Sequence, residues 1–156
     1  VDMGMYYRRL DYSKMVKGRH PIAAYEFLGP KLEGKDVILI DDMISSGKSI
    51  LEIASFLKKR GAGKIFICTT FGLFTEGMEK FDEAYQNGIF DKLLTTNLVY
   101  QTPELLSKPY YITCDMSKYI ALIIDTLNHD MSVSHLLNPA DRIKKCVNNY
   151  MAQYDK

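Results

Sequence analysis

The sequence has few cysteines, and their number and spacing exclude the sites that cysteines usually build. Its 156 residues contain only three, Cys68, Cys114 and Cys146, which lie far apart in the chain. An odd number at these distances does not form a disulfide framework, and no spacing is typical of a metal or redox motif. We therefore expect reduced thiols in a cytoplasmic protein.

Other absences narrow the class of protein further. Twenty basic residues face 19 acidic ones, so no charge excess indicates a nucleic-acid partner or a disordered tail. No apolar run approaches the length of a membrane span, and no signal peptide is visible. Internal repeats and low-complexity linkers are also missing. With 47% hydrophobic residues, the chain suffices for one domain with its own core.

The most informative stretch is Val37 to Ser49, which reads VILIDDMISSGKS. Apolar β-forming residues come first, then the carboxylates of Asp41 and Asp42, then a small hydroxyl-rich turn. The residues after Ser49 are apolar at helical spacing. This order predicts a strand, an acidic turn and a helix that runs to about Arg60 and is stopped by Gly61.

Such an arrangement suits a phosphorylated sugar. The N-terminus of a helix carries unpaired backbone N–H groups and partial positive charge, so it binds phosphate. Gly47 would let the backbone approach an anion closely. Carboxylates repel phosphate, but they accept hydrogen bonds from sugar hydroxyls. We therefore expect a sugar phosphate at the carboxyl end of this strand.

The stretch from Val37 to Ser49 has two other interpretations. Gly47-Lys48-Ser49 resembles the end of a P-loop, but that motif needs a glycine five positions before its GK glycine. Asp42 occupies that position, so a P-loop is rejected. The second interpretation is a buried strand, a turn and a helix capped by Ser45, Ser46 or Ser49, without any ligand.

The rest of the chain alternates strands with helices, which predicts an α/β fold with a mainly parallel sheet flanked by helices. Besides the central stretch, the predicted strands are Val1–Tyr7, Ile22–Leu28 (or a short helical turn), Lys64–Thr70, Ile89–Leu94 and Tyr110–Cys114. The predicted helices are Met78–Asn87, Lys118–Leu127 with Asp115 or Ser117 as N-cap, and a last amphipathic helix that begins near Pro139.

Residues 41–49, DDMISSGKS, resemble the phosphoribosyl-diphosphate (PRPP) motif of type I phosphoribosyltransferases and PRPP synthetases. In that family the acidic pair holds the ribose 2- and 3-hydroxyls, and the small loop wraps the 5-phosphate. The resemblance implies a type I phosphoribosyltransferase-like fold. It also implies ribose 5-phosphate contacts for Asp41, Asp42, Ser45, Ser46, Gly47, Lys48 and Ser49.

Two later segments resemble the synthetases in particular. Thr96-Asn97 matches the Thr-Asn that lies beside the ribose-phosphate site in that family, although the residues alone indicate only a turn. The segment Met131–Leu137 resembles the Ser-Val-Ser-Tyr-Leu-Phe ending. There it contributes to a regulatory phosphate/ADP site between subunits, which implies this role for Ser132 and Ser134.

Order and spacing of these motifs resemble the C-terminal half of a PRPP synthetase. The resemblance implies a domain over residues 1–137, a C-terminal helical extension over 138–156, and a missing N-terminal half. Because the chain begins at Val1 without a methionine, we expect a fragment or a processed form.

The basic segment after the first strand, from Arg8 to His20, has two interpretations. It is either a solvated loop or a loop that closes over phosphates, for which arginine is well suited. The resemblance favours the second, since synthetases carry a Lys-Arg-Arg loop here and Arg9 aligns with the catalytic arginine. Tyr7 replaces the family lysine. Phe71 likewise stands where a histidine is usual.

The implied reaction is that of ribose-phosphate diphosphokinase. ATP and ribose 5-phosphate would give PRPP and AMP with Mg²⁺, and Arg8 and Arg9 would close on the transferred diphosphoryl group. A homo-oligomer is expected, with no protein metal ligands, because His129 and His135 are interpreted as surface or capping residues. The alternatives are a type I phosphoribosyltransferase and a non-catalytic regulatory homologue of PRPP synthetase.

Overall fold

The computed structural model describes residues 2–10, 13, 15 and 22–154 of the chain. The described strands are β1 (Met5–Leu10), β2 (Ile22–Leu28), β3 (Val37–Ile44), β4 (Ile65–Gly72), β5 (Lys92–Thr96) and β6 (Tyr111–Cys114). The described helices are α1 (Lys48–Lys59), α2 (Glu79–Gln86), α3 (Pro103–Leu106), α4 (Ser117–Asn128), α5 (Ser134–Leu137) and α6 (Ala140–Tyr154).

Four of the strands form one parallel sheet in the order β3-β4-β5-β6. Each strand is followed by a helix or a crossover segment, as parallel pairing requires. Strands β1 and β2 form a separate antiparallel pair. The predicted α/β class with a mainly parallel sheet flanked by helices is confirmed.

The hydrophobic core lies on one face of the parallel sheet. Ile65, Ile67 and Leu93 are fully buried there, because alternate residues of a strand point to the same face. Helix α1 contributes Ile50, Ala54 and Leu57, spaced so that they share one side of the helix, and α2 contributes Phe81. This packing fixes α1 and α2 against the sheet.

The opposite face of the sheet is much more open. On β3, Ile38 is 64% exposed and Ile40 is 83% exposed. The apolar run of residues 64–70 predicts a strand buried on both faces, but in β4 only alternate residues are buried. The reason is that the helices of this core cover one face.

Element boundaries differ from the predictions at several points. Strand β5 begins at Lys92 rather than Ile89, and the short helices α3 and α5 were not predicted. Helix α4 has Met116 at its N-cap position without a side-chain cap, while the Asp115 carboxylate accepts a hydrogen bond from the Ser117 N–H at 2.9 Å. The predicted last helix is present as α6.

By its contacts the chain falls into two compact units, Val1–Cys114 and Asp115–Lys156. In the second unit, the carbonyl oxygen of Leu136 accepts hydrogen bonds from the Tyr119 hydroxyl and the Arg142 guanidinium at 2.9 and 2.7 Å. These bonds join α4, the end of α5 and α6. The predicted domain boundary after residue 137 stays a prediction.

Within the described residues, no helix has the length and apolar character needed to cross a membrane.

Candidate functional site

The acidic pair lies inside β3 and not in a turn after it. The strand continues through Met43 and Ile44, which pair with Phe71 and Gly72 of β4, so the predicted acidic turn is wrong. The strand extends past the carboxylates because Met43 and Ile44, which are apolar, continue the pairing with β4. Both carboxylates are exposed, and Asp41 Oδ1 accepts a hydrogen bond from the Asp42 N–H at 2.9 Å.

Asp41 belongs to a row of polar residues that crosses the whole sheet. It is paired with Thr69, Thr69 is paired with Thr95, and Thr95 is paired with Thr113. All four lie toward the carboxyl ends of their strands, which is where ligands bind in parallel α/β sheets. The structure therefore places the acidic pair and the end of β5 at the same edge.

The turn after β3 leads into α1 through Gly47. This residue is the N-cap of α1, is buried, and has the left-handed φ of 82°. The first helical hydrogen bond at this end runs from Leu51 N–H to the Gly47 carbonyl. Gly47 has no side chain with which to cap the helix, so none of the predicted serines occupies the N-cap position of α1.

A second loop fixes the conformation of this turn. The N–H groups of Leu73 and Thr75 donate to the carbonyls of Ile44 and Ser45 at 2.8 and 3.0 Å. A Cβ built on Gly47 would lie 2.3 Å from Cζ of Phe81 in α2. The turn at 45–47 is consequently held by the loop after β4 and by the first turn of α2.

Thr96 is the last residue of β5, and Asn97 follows it at the same edge of the sheet. The Thr96 hydroxyl donates to the Thr70 carbonyl at 2.6 Å, and the Asn97 N–H donates to the Cys114 carbonyl at 3.3 Å. Hydrogen bonds to β4 and to β6 therefore hold the pair at the strand end, where the sequence placed it.

Next to Thr96 lies a partly buried polar cluster that the sequence did not reveal. It consists of Thr95, Gln101, Tyr111 and Thr113. The Tyr111 hydroxyl lies 2.5 Å from Thr95 Oγ1 and accepts a hydrogen bond from Gln101 Nε2 at 2.6 Å. Burial raises the pKa of Tyr111, although its hydrogen-bond partners lower it in part. The four residues come from β5, the loop before α3 and β6, and their types and spacing match no motif.

The predicted catalytic arginines are placed only by their backbone. Arg8 and Arg9 are in β1, paired with Tyr25 and Ala24 of β2. Their side chains, and most of the predicted basic loop up to His20, lie outside the described residues. Tyr7 stands at the position of the family lysine, and its hydroxyl donates a hydrogen bond to the carboxylate of Glu26 on β2.

Ser132 and Ser134 lie in the second unit, just before and at the start of α5. Their hydroxyl oxygens are 2.9 Å apart, and Ser134 N–H donates to Ser132 Oγ at 3.3 Å. The two serines are thus side by side, and their regulatory role stays a prediction.

No cluster of three or more His, Cys, Asp or Glu side chains suited to a metal ion occurs within the described part of the chain. Magnesium is often held by one or two carboxylates together with substrate phosphates. Asp41 and Asp42 offer exposed carboxylates of this type, which as successive residues of β3 extend from opposite faces of the strand.

Comparison with known proteins identifies the family. A sequence profile described as the phosphoribosyl synthetase-associated domain matches residues 13–138. The chain belongs to this family.

The individual relatives described below are all named ribose-phosphate pyrophosphokinase. Ribose-phosphate pyrophosphokinases from Vibrio parahaemolyticus and Shewanella oneidensis are 26% and 29% identical over 107 residues, which is 69% of this chain and 33% of each relative. The enzyme of that name from Pyrococcus furiosus is 36% identical over 69 residues, or 44% of this chain and 23% of that protein. The chain spans about a third of the length of these family relatives.

The solved structure of phosphoribosylpyrophosphate synthetase from Mycobacterium smegmatis has the same fold. It superposes with a TM-score of 0.60 at 20% identity, covering 70% of this chain and 35% of that one. At this identity the likeness concerns the fold alone.

Proposed function

We propose that the chain is the ribose 5-phosphate-binding part of a PRPP synthetase and corresponds to its C-terminal half. The observation that carries the proposal is that β3 leads directly, through a short turn, into α1. Asp41 and Asp42 lie exposed toward the carboxyl end of β3, which ends at Ile44, and after residues 45 and 46 Gly47 is the N-cap of α1.

Each part of this edge has a separate task in the proposal. The Asp41 and Asp42 carboxylates accept hydrogen bonds from the ribose 2- and 3-hydroxyls. The backbone and hydroxyl groups of residues 45–49 hold the 5-phosphate, favoured by the helix N-terminus and the Lys48 charge. Thr96 and Asn97, at the end of β5 two strands from β3, complete the side of the site toward β6.

The proposed reaction joins ribose 5-phosphate to the diphosphoryl group of ATP. The 1-hydroxyl oxygen forms a bond to the β-phosphorus and releases its proton to water. The bond from that phosphorus to the bridging oxygen of the AMP phosphate breaks, the electron pair stays on that oxygen, and AMP leaves. Arg8 and Arg9 would neutralise the charge on the moving group, so catalysis rests on positioning and electrostatics. When bound with ATP, Mg²⁺ would neutralise further phosphate charge.

The residues that bind ATP are assigned to a part of the protein outside this chain. The chain spans about a third of its relatives, so the residues that hold the ATP are expected elsewhere in the longer protein. We expect the 156-residue chain to bind ribose 5-phosphate or PRPP weakly without forming product. The longer protein would act in the cytoplasm, in nucleotide biosynthesis, as a homo-oligomer regulated at Ser132 and Ser134.

One observation favours a second candidate, a non-catalytic regulatory homologue that assembles with active subunits. Tyr7 occupies the place of the family lysine and its hydroxyl is engaged with the Glu26 carboxylate. A phenol cannot supply the positive charge that a lysine offers to a phosphate.

Calorimetric titration with ribose 5-phosphate tests the principal proposal. Wild-type chain should bind, and a chain carrying Asp41→Asn with Asp42→Asn should bind at least tenfold more weakly, because both hydroxyl acceptors lose their charge. Glu83→Gln, which removes an exposed carboxylate from α2, is the matched control and should bind like wild type. Equal affinity in the double variant, or no binding by wild type, would contradict the proposal.

A further inference from the structure

The carbonyl at the end of β5 accepts a hydrogen bond from the side-chain amide of Gln101, in the loop that follows this strand. Gln101 lies between Thr96-Asn97 and helix α3, five residues beyond Thr96. Its Nε2 donates to the Thr96 carbonyl at 3.2 Å and to the Tyr111 hydroxyl at 2.6 Å. Its Oε1 accepts a hydrogen bond from Thr113 Oγ1 at 3.0 Å. One amide thereby joins β5, the loop and β6.

This amide sits against groups that are removed from water. Thr95 is 1% exposed and Tyr111 is 9% exposed. Buried polar groups cost free energy when they lose a partner, so a satisfied cluster holds its members in a single arrangement. Gln101 suits the position because a glutamine offers two N–H donors and one acceptor oxygen together. A glutamate lacks the donors, and an apolar side chain lacks all three groups.

The same cluster is in packing contact with the other half of the site. The Tyr111 ring meets Phe74 edge-on, with ring centroids 6.4 Å apart, and Phe74 meets Phe81 edge-on at 5.3 Å. Phe81 in turn lies against Gly47, the N-cap of α1. Phe74 adopts the left-handed φ of 46°, which is unusual for a bulky residue and is maintained here by its place between the two rings.

From these contacts we infer that Gln101 is a positioning residue, which fixes the Thr96-Asn97 strand end relative to the Gly47 turn for binding of the ribose phosphate. The inference rests on the proposed function, since it names that ligand. Gln101 acts through Thr96, whose carbonyl it holds, and through Tyr111, whose ring packs toward the Gly47 side.

Gln101→Met tests the role, because methionine has a similar length and no hydrogen-bonding amide. We expect the 156-residue chain with this change to remain folded and to bind ribose 5-phosphate about five- to tenfold more weakly, the loss typical of a buried hydrogen bond. In the unliganded chain, the Asn97 amide should exchange with solvent faster relative to the core amide of Ile67.

Thr102→Ala is the matched control from the same loop. Thr102 caps α3, accepting a hydrogen bond from the Leu105 N–H at 3.1 Å, so its loss destabilises the loop without touching Thr96. This variant should keep the wild-type affinity and the wild-type ratio of Asn97 to Ile67 exchange.

Three results would overturn the inference. Equal affinities of wild type and Gln101→Met would remove the positioning role while leaving the proposed function intact. An equal loss of affinity in Thr102→Ala would mean that Gln101→Met weakens binding only by destabilising the loop. Absence of ribose 5-phosphate binding by the wild-type chain would overturn the proposed function and the ligand named here together.

Discussion

Gly47 and Phe81 are packed so closely that no side chain fits between them. A Cβ on Gly47 would lie 2.3 Å from Cζ and 2.4 Å from Cε2 of the Phe81 ring, and Phe81 is fully buried. Gly47 also has the left-handed φ of 82°. The turn that we assign to the 5-phosphate therefore depends on a glycine for two independent reasons, its backbone conformation and the space above it.

Gly47→Ala should destabilise the chain by about 2 to 5 kcal/mol. The left-handed backbone costs about 1 to 2 kcal/mol for alanine, and overlap with a buried ring typically adds 1 to 3. Urea unfolding followed by circular dichroism measures the change. Gly34→Ala is the control, since Gly34 has a similar φ of 69° and nothing within 4 Å of a built Cβ. A loss of equal size in both variants would refute the role of Phe81.

Asp82 links the pH dependence of stability to α2. Its carboxylate accepts hydrogen bonds from Lys108 at 2.7 Å and from the buried Tyr110 hydroxyl at 2.8 Å. Burial alone would raise the pKa of Asp82, but these two donors outweigh it and hold the pKa below its usual value. A depressed pKa in the folded state means that this stabilisation is present above the ordinary pKa and is lost as the pH falls through the folded one.

Asp82→Asn should therefore lower stability at pH 7 by about 1 to 2 kcal/mol, since the side chain loses its charge and an NH₂ donor replaces one of the two oxygens that accept from Lys108 and Tyr110. The difference from wild type should shrink when the pH falls below 4, where the wild-type carboxylate itself takes up a proton. Chemical unfolding at pH 7, 5 and 3 provides the comparison. A difference that stays constant from pH 7 to pH 3 would show that the ionised form has no special role.

The sequence was sufficient for the fold class because its signals are local. Apolar runs of strand length, helical spacing after Ser49, and Gly61 and Gly88 at positive φ all marked elements that the structure contains. The end of β3 could not be placed, since the carboxylates of Asp41 and Asp42 disfavour a strand while pairing with β4 imposes one. Tertiary pairing decided that boundary.

The site was predicted only where its residues are contiguous. Asp41 to Ser49 and Thr96-Asn97 are short motifs, so chain order alone reveals them. The supports of the site come from α2, the loop at 101 and β6. Phe81, Gln101 and Tyr111 are brought together by the fold, and a phenylalanine or a tyrosine in a strand or helix is typical of any core.

Tyr111→Phe should show how strongly the polar cluster is coupled. The change removes the hydroxyl that accepts from Gln101 and leaves the buried Thr95 hydroxyl with a weaker partner, for an expected loss of about 1 to 2 kcal/mol. Combined with Gln101→Met, it should cost less than the sum of the single changes, because both remove the same hydrogen bond. Unfolding free energies of the wild type, two single variants and double variant measure the coupling. Strict additivity would mean that the two side chains act separately.

Tyr7→Lys separates the two candidate functions. Tyr7 faces Glu26 across the β1–β2 pair, and a lysine there would form a cross-strand ion pair with the same carboxylate. We expect the stability of the chain to change by no more than about 0.5 kcal/mol. In the longer protein, the added ammonium group should raise the rate of AMP release from ATP and ribose 5-phosphate, since it supplies the charge that the phenol lacks.

Met5→Lys is the matched control, because it adds the same charge to an exposed position on the same strand. A rate increase in Tyr7→Lys alone assigns the missing activity to this side chain, whereas unchanged rates in both variants count against Tyr7 as the residue that limits catalysis.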